Sequence, residues 1–65
     1  MDENQAEALV QVLGGSSWDS GGGIWLAVKE RADGHVVALS DETACEYANW
    51  DELQGGTPLN TILLV

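Results

Sequence analysis

The sequence predicts an α+β fold: an N-terminal helix packed on a small antiparallel sheet of four or five strands, with a short second helix before the last strand. Three observations carry this. The chain opens on an apolar stripe of helical period, changes to period two after Gly14-Gly15, and meets a second helix-start signal at Asn49 before a closing apolar run.

In the first segment Ala6, Leu9, Val10 and Leu13 fall at i, i+3, i+4 and i+7, one side of a helix. Asp2, Glu3 and Glu7 occupy its first turns, where carboxylates meet the positive end of the helix dipole. Gly14 is placed to stop it in the left-handed conformation. Ser16 to Asp19 then reads as a short strand and Ser20-Gly21-Gly22-Gly23 as a turn. From Ile24 to Arg31, Ile24, Leu26 and Val28 point one way while Trp25, Ala27 and Lys29 point the other. Asp33-Gly34 closes a hairpin, and His35 to Leu39 returns antiparallel.

Ser40-Asp41-Glu42 either caps a helix running through Glu46 or turns into another strand. Alternation of Thr43, Cys45 and Tyr47 with Ala44 and Glu46 favours a strand from Thr43 to Ala48. Asn49 and Glu52 stand in the N-cap and N3 positions of a capping box for a helix that ends at Gly55-Gly56. Leu59 to Val65 is the last strand. Ile62 to Val65 are apolar on both faces, which places this strand inside the sheet or under a partner and makes loss of Leu64-Val65 sufficient to unfold the domain.

Residues 1–65 make a single domain, and a chain of this length buries only about 60% of its unfolded surface. One cysteine allows no internal disulfide, and there is no Cys/His set for zinc. Met1-Asp2-Glu3-Asn4 is unlike a signal peptide, and no apolar run is long enough to cross a bilayer, so the expected location is the cytoplasm, or the host cytoplasm if a phage encodes the protein. Eleven acids face two bases, Lys29 and Arg31, for a net charge of −9. That balance opposes direct nucleic-acid binding and membrane binding and favours a basic protein partner. Content of 45% apolar residues with clear periodicity sets the chain apart from disordered acidic segments.

Catalytic chemistry finds little to use. His35, the only imidazole, follows the Asp-Gly turn, with Asp33 the one carboxylate in local reach; a turn-flanking surface histidine is the expected role. Cys45 lies between Ala44 and Glu46 without a cationic neighbour in sequence, which suits a buried packing thiol. The serines show no nucleophile elbow, the glycine runs match no phosphate-binding loop, and Asp41-Glu42 and Asp51-Glu52 lack the spacing of a calcium loop. The expectation is a non-enzyme without cofactor or metal.

The aromatic supply is Trp18, Trp25, Trp50 and Tyr47. Trp25 is either second-face core or an exposed anchor, and Trp50, beside Asp51 and Glu52, has the setting of an interaction hot spot. The charge layout is uneven. Residues 1–28 hold Asp2, Glu3, Glu7 and Asp19 with no base; residues 29–34 cancel; residues 35–65 hold Asp41, Glu42, Glu46, Asp51 and Glu52 with no base. The predicted partner-binding segment is therefore 41–52, through Asp41, Glu42, Glu46, Trp50, Asp51 and Glu52.

In size, charge and lack of catalytic groups the chain resembles the small acidic DNA-mimic inhibitors carried by phages, anti-CRISPR proteins among them. The likeness runs through bulk properties over the whole chain, and no motif carries it. It implies a protein that occupies the basic DNA-binding cleft of a bacterial defence complex, such as a CRISPR effector subunit, as a monomer or homodimer. Acids on alternate strand residues stand about 6.6 Å apart, against about 3.4 Å of axis per charge on each strand of a duplex, and a rigid array of them can occupy a cleft built for phosphates. The alternatives are a halophile's housekeeping domain, hydrated by its acids, and an antitoxin or small subunit that neutralises a basic partner.

Overall fold

The computed structural model describes residues 1–64. Its elements are α1 (Glu3–Leu13), β1 (Ser16–Asp19), β2 (Trp25–Glu30), β3 (Val36–Leu39), β4 (Thr43–Tyr47), α2 (Trp50–Gly55) and β5 (Asn60–Leu63). The five strands form one antiparallel meander in the order β1-β2-β3-β4-β5. The α+β class, both helices and the strand assignment of 43–47 agree with the sequence reading.

Local chemistry accounts for the ends of the elements. Asp2 is the N-cap of α1 rather than a first-turn residue: its carboxylate accepts the Gln5 N–H at 2.8 Å, and the Gln5 side chain accepts the Asp2 N–H at 3.0 Å. This reciprocal pair is a capping box, and the sequence reading missed it because it took Asp2 only as a dipole partner. Asn49 caps α2 by accepting the Glu52 N–H at 2.9 Å. Between β1 and β2, Gly21, Gly22 and Gly23 all have positive φ (118°, 65° and 79°), a run that residues with a Cβ adopt only with strain. Gly15 is needed for a different reason: a Cβ there would lie 1.9 Å from the Val28 carbonyl oxygen, so only glycine lets the α1–β1 turn cross β2 so closely.

The register places Val28 opposite Ser16 and Ala38, Ala38 opposite Cys45, and Val36 opposite Tyr47, all on one face. Leu53 of α2 closes over Val28, Val36, Ala38 and Tyr47 to make the main core, with Trp18, Leu26, Cys45 and Trp50 half-buried around it. The other face carries Ser17, Ala27, Leu39, Ala44 and Ile62. Helix α1 packs there against β1 and β2, with Glu7 accepting a hydrogen bond from Ser17 Oγ and Ala6 and Ala27 both fully buried. The helices thus take opposite faces, and the domain is a three-layer arrangement rather than one helix layer over one sheet.

Of the two placements expected for the last strand, inside the sheet or under a partner, the first is corrected. Strand β5 does not lie inside the sheet: it is the edge strand, all four residues are exposed, and Leu59, Ile62, Leu63 and Leu64 are each more than half exposed. Among the described residues no element covers it, so the apolar sequence at that position does not mark burial. The Leu64 side chain is equally open, and its main-chain tie is one hydrogen bond, from its N–H to the Glu42 carbonyl at 2.7 Å. Val65, the other residue of the deletion expected to unfold the domain, lies outside the described residues.

Since Leu53 is the one fully covered side chain that α2 contributes, Leu53→Ala should cost about 2–5 kcal/mol and leave a domain of this size largely unfolded at 37 °C. Gly15→Ala should lower the melting temperature far more than the same change at Gly55, where an added Cβ meets nothing within 4 Å. Thermal melts followed by circular dichroism test both.

Candidate functional site

The meander sorts charged residues by end of the sheet. The β1–β2 and β3–β4 turns lie at one end, and the start of α1 joins them there. Met1 donates to and accepts from the Trp25 backbone (3.4 and 2.9 Å), and its amino group is 3.4 Å from Asp41 Oδ2. This end collects Asp2 and Glu3 from α1, Asp19 from the end of β1, and Asp41 and Glu42 from the β3–β4 turn. Both bases lie elsewhere, at Lys29 and Arg31, so the end is a pole of five carboxylates without a lysine or arginine. A shallow depression lined by Met1, Ile24, Ser40, Asp41, Glu42 and Thr43 opens on it.

Asp19 Oδ1 accepts the Gly21 N–H at 2.8 Å, which orders the glycine turn. Ser40 Oγ accepts the Thr43 N–H at 3.1 Å and fixes the turn that carries Asp41 and Glu42. Both carboxylates on that turn are exposed. The pole is therefore mounted on two ordered turns and a capped helix start.

The opposite end is a neutralised network. Arg31 Nη2 donates to Asp33 Oδ2 and to Glu46 Oε2, each at 2.7 Å. His35 Nδ1 lies 2.7 Å from Glu46 Oε2, so the Nδ1–H tautomer donates to it, and the His35 backbone N–H donates to Asp33 Oδ1 at 2.9 Å. The hydrogen bond from Arg31, with help from the His35 N–H, holds the Asp33 carboxyl down at about 2. The hydrogen bond from His35 and the charge of Arg31 lower Glu46 below the ordinary carboxylate range, and Asp33 in turn raises Arg31. In the core, burial and then the neighbouring Cys45 raise the Tyr47 phenol.

These positions redistribute the predicted binding segment. Asp41 and Glu42 belong to the pole. Asp51 and Glu52 lie at the start of α2, beyond the far end of β4, about 16 Å away along a five-residue strand. Glu46 is on the sheet face opposite the one α2 covers, and is bound to Arg31 and His35 rather than free. Trp50 is half-buried against the core and helps cover it, instead of standing clear among acids. What joins Asp41 and Glu42 is a group the sequence reading placed in a separate region: Asp2, Glu3 and Asp19. The signal available was topological, since successive turns of a meander alternate between its ends.

His35 does sit where a turn-flanking histidine was expected, but its partner is Glu46 from the next hairpin, 11 residues on, as well as Asp33. Cys45 is half-buried rather than buried, with its sulfur 3.6 Å from Thr61 Oγ1. Trp25 is half-buried on the α1 face of the sheet. Among the described residues no group of three His, Cys, Asp or Glu side chains is placed to hold a metal ion, and no helix is long and apolar enough to cross a membrane.

Comparison with protein families, with curated proteins and with solved structures returned no match to this chain.

The depressed Asp33 and Glu46 carboxyls make the network a source of acid sensitivity. A carboxyl whose folded pKa is lowered stabilises above its unfolded value and loses that contribution as pH falls through the folded one. For Asp33 the window runs from its ordinary 3.8 down to about 2. Arg31→Ala should raise the Asp33 carboxyl toward the ordinary carboxylate range, short of it because the His35 N–H bond remains, and flatten this part of the pH–stability curve. A carboxyl-carbon NMR titration of both proteins measures it.

Proposed function

We propose that this chain is a non-enzymatic binding protein that presents its acidic pole to the basic DNA-binding cleft of another protein and occupies it in place of DNA. The observation that carries the reading is the convergence of Asp2, Glu3, Asp19, Asp41 and Glu42, from three separate stretches of chain, on one end of the sheet away from both bases. A protein that needed its acids only for hydration has no use for such segregation, because scattered charge hydrates as well. Concentrating them on ordered turns builds a local negative potential that steers a basic partner at long range and is weakened by salt.

The target class that follows is a protein with a lysine- and arginine-lined groove built for phosphates. A subunit of a bacterial defence complex such as a CRISPR effector is the particular target that the resemblance to phage DNA-mimic inhibitors suggests. In this reading the contact residues move from the whole 41–52 segment to Asp41 and Glu42 with the start of α1 and the β1–β2 turn. Glu46, Asp51 and Glu52 lie outside it.

The test uses two charge reversals, Asp41→Lys/Glu42→Lys at the pole and Asp51→Lys/Glu52→Lys on α2; the first also removes the Asp41–Met1 ion pair, so circular dichroism first establishes that each variant is folded. The wild-type chain should capture a DNA-binding protein from a bacterial lysate, and duplex DNA and added salt should both release it. With that partner purified, the pole variant should bind about a hundredfold more weakly or worse, and the α2 variant within a few-fold of wild type. Equal binding by wild type and pole variant, or a complex indifferent to duplex DNA, would sink the proposal.

A further inference from the structure

Helix α1 meets β1 and β2 only, so the sheet face it packs on is uncovered, among the described residues, from β3 to β5. Alternation puts Val37 and Leu39 of β3, Ala44 and Glu46 of β4, and Ile62 of β5 on that half, with Leu64 next along. A groove on the near side of α1 is lined by Ala8, Leu9, Val12 and Asp41, and Val37, Ala44 and Ile62 line a depression toward β5. Val12, Ile62 and Leu64 are each more than half exposed. A contiguous apolar area of this kind, rimmed by charge, marks an interaction surface.

Dimensions select a helix as its occupant. Strands β3 and β5 are two strand spacings apart, about 10 Å, and a helix with its side chains is about 10–12 Å across. Strands of four or five residues are about 13–17 Å long, the span of about ten helical residues. Helix α1 already shows the alignment. It starts beside Trp25, where Met1 exchanges main-chain hydrogen bonds with that residue, and its chain leaves at Gly15 against Val28, so it lies along β2. A second helix laid beside it fits between Leu9 and Val12 on one flank and Ile62 and Leu64 on the other. A strand laid flat on the same face would leave its own N–H and C=O groups unpaired, whereas a helix satisfies them internally.

Charge selects the kind of helix. At the pole end the half-face is bordered by Asp41 and Glu42, both exposed, with only the Met1 amino group near Asp41. At the other end stand Lys29, which is exposed, and Arg31, bound to Asp33 and Glu46; the one acid of the face there, Glu46, also holds His35. The face therefore calls for cations at one end only. A second copy cannot supply them: α1 and α2 both open on acids and neither contains a base.

We infer that this half-face binds an amphipathic helix of a partner protein, about three turns long, with one apolar stripe and with lysine or arginine in the terminal turn that meets Asp41 and Glu42. The inference goes beyond docking of the pole, since its apolar contacts lie away from the pole and need no DNA-binding cleft.

The probe is an alanine-based helical peptide of about 18 residues, long enough to hold its fold, with leucines at i, i+3, i+4 and i+7 and lysines in one terminal turn. Titrated into the isotope-labelled chain, it should shift the NMR signals of Val12, Val37, Leu39, Ala44 and Ile62, and bind at least about tenfold more tightly than an isomer with its leucines scrambled. Val12→Lys and Ile62→Lys change exposed side chains away from the pole, and each should weaken the peptide about tenfold with an unchanged circular dichroism spectrum. Neither should affect capture of a DNA-binding protein by the pole, so the two readings fail separately. Asp41→Lys/Glu42→Lys should weaken the lysine peptide about fivefold and favour a version with glutamates in its place. Equal affinity for the striped and scrambled peptides overturns the inference, whatever the variants do. So do shifts confined to Asp2, Asp19, Asp41 and Glu42, which mean charge attraction alone. Tighter binding of a peptide of the same composition with period-two alternation, felt at Thr61 and Leu63, assigns the surface to a strand on the β5 edge and overturns it as well.

Discussion

Strand β2 has to be covered on both faces, and the rest of the domain is arranged around that requirement. Ala27 and Val28 are neighbours in sequence, point to opposite sides and are both essentially inaccessible to solvent. In a chain of 65 residues neither face can be covered generously. One side receives α1, brought close because Ala6 and Ala27 are small. The other receives the larger side chains of β3 and β4 under Leu53. Gly15 belongs to the same constraint, since the chain leaving α1 must pass within contact distance of the β2 backbone to reach the edge of the sheet.

The two helices cover different halves of the sheet as well as different faces. Helix α1 sits over β1 and β2, and α2 over β3 and β4. Consequently, among the described residues, the α1 face is bare over β4 and β5, and there Arg31, His35 and Glu46 build a dense polar network. Its side chains are substantially solvent-exposed, so it contributes modestly to stability but sets local charge. The two bases gather at the β2–β3 hairpin with carboxylates from two hairpins, and the acids near the other end have only the Met1 amino group, 3.4 Å from Asp41, beside them. The acidic pole stands at the end of the sheet away from where the lysine and arginine are held.

Local signals were legible in the sequence: the stripe of α1, the Asp33-Gly34 hairpin, the alternation of Thr43 to Tyr47 and the Asn49 cap each depend on residues within a few positions of one another. Register was not. That Glu46 meets Arg31 and His35 depends on how two hairpins align, and no count along residues 41–52 reveals it. For that reason a segment rich in acids was read as one surface when the fold divides it among the pole, the ion network and the start of α2. The same limit applies to β5. A strand apolar on both faces signals burial in a large protein, but here no element among the described residues covers it, and the strand is an open edge.

The bare edge and the charged pole both follow from how few covering elements the described residues hold. Strand β5 is paired on one side only, and Leu59, Ile62, Leu63 and Leu64 stay more than half exposed because the two helices are taken up in covering β1 to β4. The acids of the pole stand on turns and on the start of α1, where no packing partner is required, so they add charge at that end of the sheet without taking area from a core that has little to spare.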